Sequence, residues 1–141
     1  MKSRNLVLVF AAVIAQASCN RSSPNSAALS PASTQTDLAN PIPFTADSVM
    51  RGKELYHKAD CALCHGKDGN GKGFLARDTR MNVHDWQDAA YSQTFTDGRM
   101  YSIILKGKDK MPAYETRNTP EEIWLMVDYI RSLSAPPKTV Q

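Results

Sequence analysis

Apolar and polar positions divide this chain into three stretches of different character. Residues 6–15 are an uninterrupted apolar run preceded by Lys2 and Arg4; residues 20–43 are mostly Ser, Pro, Ala, Asn and Thr; helical periodicity begins after Phe44. There Val49, Gly52, Tyr56 and Ala59 fall on one helical face. Thr45 reads as the N-cap of that helix, with Phe44 and Val49 placed as a hydrophobic staple. Gly52 inside it costs about 1 kcal/mol relative to alanine, a cost offset if another helix approaches closely there. A second helix is predicted over residues 97–105, closed by Gly107. The last has the clearest signals: Thr119-Pro120-Glu121-Glu122 is a capping box with proline at the first helical position, and Ile123, Met126, Val127, Ile130 and Leu133 form its apolar stripe. Trp124 and Tyr129 lie beside that stripe, placed to meet the Gly52 face, and Pro136 and Pro137 are expected to stop the helix. No segment alternates as a strand, so the expected fold is all-α.

A basic start followed by ten apolar residues has the form of a signal peptide, expected over residues 1–18. That run is half the roughly 20 residues needed to span a bilayer. Ala15-Gln16-Ala17 fits ordinary cleavage, whereas Ala17-Ser18-Cys19 resembles the end of a bacterial lipobox, after which Cys19 would carry lipid. The lipoprotein form is favoured because it explains the cysteine. Residues 19–43 are then a disordered tether with a reach of roughly 25–30 Å, residues 44–135 the folded domain, and 136–141 a disordered tail. The expected location is periplasmic, free or membrane-anchored on the outer side.

The 141 residues suit one domain rather than two. Seventeen basic and 14 acidic residues give a formal charge of +3, far short of a nucleic-acid binder. Three cysteines are too few for a disulfide scaffold and leave one unpaired.

Cys61-Ala62-Leu63-Cys64-His65 accounts for the other two. Two thiols a helical turn apart reach the two vinyl groups of a haem as thioethers, and the adjacent imidazole then faces the iron. A thioredoxin-type redox pair would need a strand before the cysteines, and a structural zinc site would need a second ligand pair. The thirty or so residues from Gly66 to Phe95 show little periodicity, and so long a connection in a small domain is usually functional or wrapped around something. A bound haem would supply the core that the helices lack.

The second axial ligand must come from far along the chain. Met50, Met100 and Met126 fall within predicted helices; Met81 and Met111 remain on loops. Met111 is favoured because Pro112 biases it toward an extended conformation and because it follows the Gly107 helix stop. His84 is its rival. The segment Gly66-Lys67-Asp68-Gly69-Asn70-Gly71-Lys72 has the spacing of a phosphate loop, but Gly73 stands where a magnesium-binding Ser or Thr belongs, which demotes nucleotide binding.

Taken in order and spacing, Gly52-Lys53-Glu54-Leu55-Tyr56, Cys61 to Gly66, Gly69-Asn70-Gly71, Thr96-Asp97-Gly98, Ile104 to Gly107, Met111-Pro112-Ala113-Tyr114 and Glu121 to Leu133 resemble the class I mono-haem cytochromes c of bacteria. The resemblance implies three to five helices around one covalent haem c, thioethers at Cys61 and Cys64, His65 as proximal and Met111 as distal iron ligand, and a crossing of the first and last helices at Gly52. It implies a one-electron carrier rather than an enzyme, monomeric, serving redox protein partners either as a shuttle or as the cytochrome subunit of a dehydrogenase or oxidase, the alternative being a haem sensor or enzyme in which Met111 is displaceable. The chain departs from the family in having Gly73-Phe74 where Gly-Pro is usual, which leaves open the carbonyl that serves His65. Trp86, Arg77, Arg80, Tyr101 and Tyr114 are candidates for the haem propionates. Lys67 and Lys72 on one side and Lys106, Lys108 and Lys110 on the other are placed to form a basic rim suited to acidic partners.

Overall fold

A computed structural model of the protein describes residues 38–135. Its elements in chain order are α1 (Ala46–Lys58), α2 (Cys61–His65), α3 (Phe74–Asp78), α4 (Ala89–Ser92), α5 (Asp97–Lys106) and α6 (Pro120–Ser132). The expected all-α architecture is present: three principal helices, α1, α5 and α6, and three of a single turn. Among the described residues the sole extended pairing is an isolated bridge between Lys108 and Met111. The leader, Cys19 and the proline stop at 136–137 lie outside the described residues.

Each long helix starts where side chains satisfy its unpaired amides. The Thr45 hydroxyl accepts from the Ser48 amide at 3.1 Å while the Ser48 hydroxyl accepts from the Thr45 amide at 3.0 Å, a reciprocal cap in which serine takes the usual place of glutamate. Thr119 and Glu122 form the same device at α6, at 3.2 and 2.8 Å. Thr96 caps α5 by accepting from the Arg99 amide. Gly107 ends α5 with a φ of +76°, a conformation that favours glycine. Helix α6 ends at Ser132, short of the prolines expected to stop it.

Helix α6 is buried on every side from Ile123 to Ile130, a burial wider than the expected stripe. One side receives α1, and there Gly52 lets the backbones meet: a Cβ on Gly52 would stand 2.0 Å from the Leu125 carbonyl oxygen and 3.0 Å from the Tyr129 Cβ. Tyr129 joins this contact, its ring edge-on to Tyr56 with centroids 5.0 Å apart. Trp124 goes elsewhere: it stacks on Tyr101 of α5 at 4.2 Å. One stretch of α6 therefore serves two partners, because 124 and 129 are five positions apart and project about 140° from each other at 3.6 residues per turn.

The chain is packed before Phe44, where order was expected to begin. Leu38 and Ile42 rest against the core, and the Asn40 amide donates to Asp128 Oδ1 at 2.7 Å. Two isolated apolar residues in a Ser/Pro-rich setting were too weak a local signal to mark this strap, which is specified by the buried carboxylate it meets.

Candidate haem site

The long connection after α2 is knitted to the end of α2 and to itself. The Gly71 amide donates to His65 O at 2.8 Å, the Gly73 amide to Cys64 O at 3.2 Å and the Trp86 amide to Gly69 O at 2.8 Å. From α1, the Tyr56 hydroxyl donates to Gly66 O at 2.8 Å, and from α6 the Tyr129 hydroxyl donates to Lys67 O at 3.3 Å. Two helices thus fix the chain immediately after His65.

On the opposite side, Met111 is presented by a tight turn. The Lys108 amide donates to Met111 O at 3.1 Å and the Met111 amide to Lys108 O at 2.8 Å, with Asp109 at a φ of +53°. Gly107 sits against this turn, where a Cβ would come within 2.6 Å of Met111 O. No periodicity in the sequence marks such a turn; its signals are Gly107 and Pro112.

Cys61, Cys64, His65 and Met111 all line one cavity of about 500 Å³. Its walls are mainly apolar, with Ile103, Ile104, Met126 and Ile130 contributing from α5 and α6. Both cysteines are half-buried and neither is in a disulfide. Burial pushes the Cys61 thiol up to about 11, so it is protonated at neutral pH. Burial, together with nearby His84, holds His65 below the ordinary histidine range, which keeps the imidazole neutral as a metal ligand requires. Its Nδ1 is sealed from solvent with no protein partner, so Gly73-Phe74 provides no hydrogen bond in place of the usual one.

These features fit a haem. The cavity volume lies within the usual range for bound cofactors, two cysteines and a half-buried imidazole stand on one wall, and a thioether donor comes from a separate loop. They fit a zinc ion poorly, since among the described residues no three His, Cys, Asp or Glu side chains group as metal ligands.

Of the polar candidates for the propionates, Arg80, Trp86 and Tyr114 line the cavity, whereas Arg77, exposed on α3, and Tyr101, stacked on Trp124, are not in its lining. Asn82 and His84 line it as well. Asn82 lacked any signal in the sequence beyond membership of a polar loop, whereas His84 is the rival ligand already read from the sequence. His84 is exposed and stacks on Tyr91 at 4.1 Å. Lys108 and Lys110 reach the cavity mouth, but Lys106 is paired with Glu115. Lys2, Arg4, Arg21 and Lys138 lie outside the described residues, which hold thirteen basic and thirteen acidic side chains. Any docking preference therefore comes from local placement.

A helical fold closed around a cavity that carries a C-x-x-C-H wall defines a c-type cytochrome. Over residues 47–130 the chain matches the family described as cytochrome C oxidase, cbb3-type, subunit III, and it belongs to that family. Among solved structures, the KustC0563 c-type cytochrome is similar with a TM-score of 0.52 and 28% identity, over 58% of this chain and 95% of that one. A chain of the Kuenenia stuttgartiensis reducing HAO-like protein complex Kustc0457/Kustc0458 shares the fold with a TM-score of 0.57 and 24% identity. That likeness covers 66% of this chain but 46% of the other, so this chain spans about half the length of that neighbour. Covalently attached haem c is the family's cofactor and electron transfer its role.

Proposed function

We propose that this protein transfers single electrons between exported redox partners through one haem c, attached by thioethers at Cys61 and Cys64, with His65 and Met111 as axial ligands. The observation that carries this reading is the convergence of all four side chains on one apolar cavity. When bound, the haem supplies a reversible one-electron couple at its iron. The chain's part is to hold both ligands and exclude water. His65 approaches from a backbone fixed by Tyr56 and Tyr129, and Met111 from a turn closed on itself. Met111 is favoured over His84 because it is half-buried in that turn, while the exposed His84 ring is engaged with Tyr91. A thioether ligand favours ferrous iron and raises the potential relative to two histidines.

Two ligands from the protein leave no open iron position, which supports a carrier over an oxygen-activating enzyme or gas sensor. The family description supports a second setting, as the cytochrome subunit of a larger oxidoreductase. Co-purification with such a complex distinguishes it from a free shuttle. Lys108 and Lys110 at the cavity mouth favour acidic docking surfaces. The apolar run and Cys19 support export and lipid anchoring, which mass spectrometry of the mature N-terminus tests. For the site itself the test is visible absorption. Split ferrous haem c bands and a weak far-red band of methionine-to-ferric-haem charge transfer are expected, the latter lost in Met111→Ala. Absence of covalent haem overturns the whole reading, as strong carbon monoxide binding to the reduced protein overturns the closed site.

A further inference from the structure

One side chain joins the two ligand-bearing halves of the site. Tyr114 lies three residues beyond Met111 and is 5% exposed. Its hydroxyl donates to the Ala59 carbonyl at 3.1 Å across a separation of 55 residues. Ala59 caps the end of α1, two positions before Cys61. On its own side, the Tyr114 amide is shared between the carbonyls of Ile104 and Leu105, each at 3.2 Å, so the residue is anchored to the end of α5. Between these anchors, residues 108–110, 112 and 113 are exposed, and the Met111 turn has one reciprocal pair of hydrogen bonds of its own.

The chemistry of haem attachment increases the weight on that single bond. In the free chain the Cys61 thiol also faces the Ala59 carbonyl, at 4.0 Å. A thioether has no S–H to donate. Once Cys61 is attached, the Tyr114 hydroxyl is the remaining donor to that carbonyl among the described contacts.

Resting on the reading of Met111 as distal ligand, we infer that Tyr114 is a positioning residue: its hydrogen bond to Ala59 ties the methionine loop to the haem-attachment segment and holds the thioether against displacement. Loss of the hydroxyl leaves the ring's packing in place but frees the loop to swing about its α5 anchor. A competing ligand then displaces Met111 more easily, although the helices remain folded. One neutral hydrogen bond corresponds to about fivefold to tenfold in such an equilibrium.

The test is titration of the oxidised holoprotein with imidazole, followed by loss of the far-red methionine band, alongside urea unfolding followed by helical circular dichroism. Tyr114→Phe is expected to bind imidazole about fivefold to tenfold more tightly than wild type. Asn40→Ala, which removes a bond to Asp128 and does not line the cavity, is expected to match wild type in imidazole affinity even where it lowers stability. Wild-type affinity in Tyr114→Phe overturns the inference, and so does an equal rise in Asn40→Ala, which would show general loosening. If Tyr114→Phe does not accumulate as holoprotein, nuclear magnetic resonance of wild type decides. A slowly exchanging Tyr114 hydroxyl proton is expected that is lost when imidazole displaces Met111, and its persistence overturns the tie. A wild-type holoprotein lacking the far-red band removes the ligand reading itself, and Tyr114's role with it.

Discussion

The carbonyl oxygen of Leu125 occupies the space that a side chain on Gly52 would need, 2.0 Å from the position of its Cβ. Backbone cannot yield as a flexible side chain does. Helices α1 and α6 would have to move apart, and Tyr56 and Tyr129, which meet beside the crossing, would move with them. Gly52→Ala is therefore expected to lose stability despite alanine's better helix propensity, by about 1–3 kcal/mol or more. Met50→Ala on the same helix, where Met50 is 57% exposed, is the comparison and should stay within about 0.5 kcal/mol. Urea midpoints of the two variants check this; an unchanged midpoint in Gly52→Ala contradicts the crossing.

Tyr56→Phe removes the buried hydroxyl that donates to Gly66 O at 2.8 Å. That carbonyl keeps one donor, the Gly69 amide at 3.1 Å. The expected loss is accordingly that of one hydrogen bond, about 1 kcal/mol, rather than the larger penalty of a stranded carbonyl. Because this bond fixes the chain next to His65, faster amide exchange at Gly71, whose N–H donates to His65 O, should accompany the lower unfolding midpoint.

Two carboxylates should act on stability in opposite directions with pH. The Thr119 amide, as donor, holds Glu122 below the ordinary carboxylate range. Its contribution is present above the unfolded pKa and is lost as pH falls through the lower folded value. Burial pushes Asp128 up, against the lowering effect of Ser48, so its ionisation opposes folding and that cost develops as pH rises above the unfolded value. Asp128→Asn is expected to stabilise the protein at pH 7 and to gain progressively less toward pH 4, since an asparagine oxygen still accepts from Asn40. Glu122→Gln is expected to flatten the acid limb. Thermal midpoints at a series of pH values, read for the sign of each difference, test both.

With charge balanced over the described residues, salt dependence isolates the local placement of Lys108 and Lys110. Reduction by an acidic redox partner should slow as ionic strength rises past the range where the Debye length is about 10 Å. The double variant Lys108→Ala with Lys110→Ala should lose most of that slope while keeping the same far-red band. Stopped-flow rates measure it; a flat wild-type profile removes the acidic-partner reading.

Much of this protein was legible in its sequence because the signals are local. Thr45 and Thr119 mark helix starts through bonds to amides three residues away, Gly107 marks an end through its own backbone conformation, and Cys61, Cys64 and His65 carry their chemistry in a spacing of five. The place of Met111 on the cavity wall was legible at one remove, from a proline and a helix stop. The tertiary structure decided what depends on distant partners. It gave Trp124 to Tyr101 instead of to α1, withdrew Arg77 and Tyr101 from the site, brought in Asn82, and clamped Asn40 to Asp128. It also joined Tyr114 to Ala59. Caps and ligand motifs are fixed by neighbours along the chain, whereas a side chain's partner across 55 or 88 residues is set by how helices cross, and that crossing is a property of the assembled core.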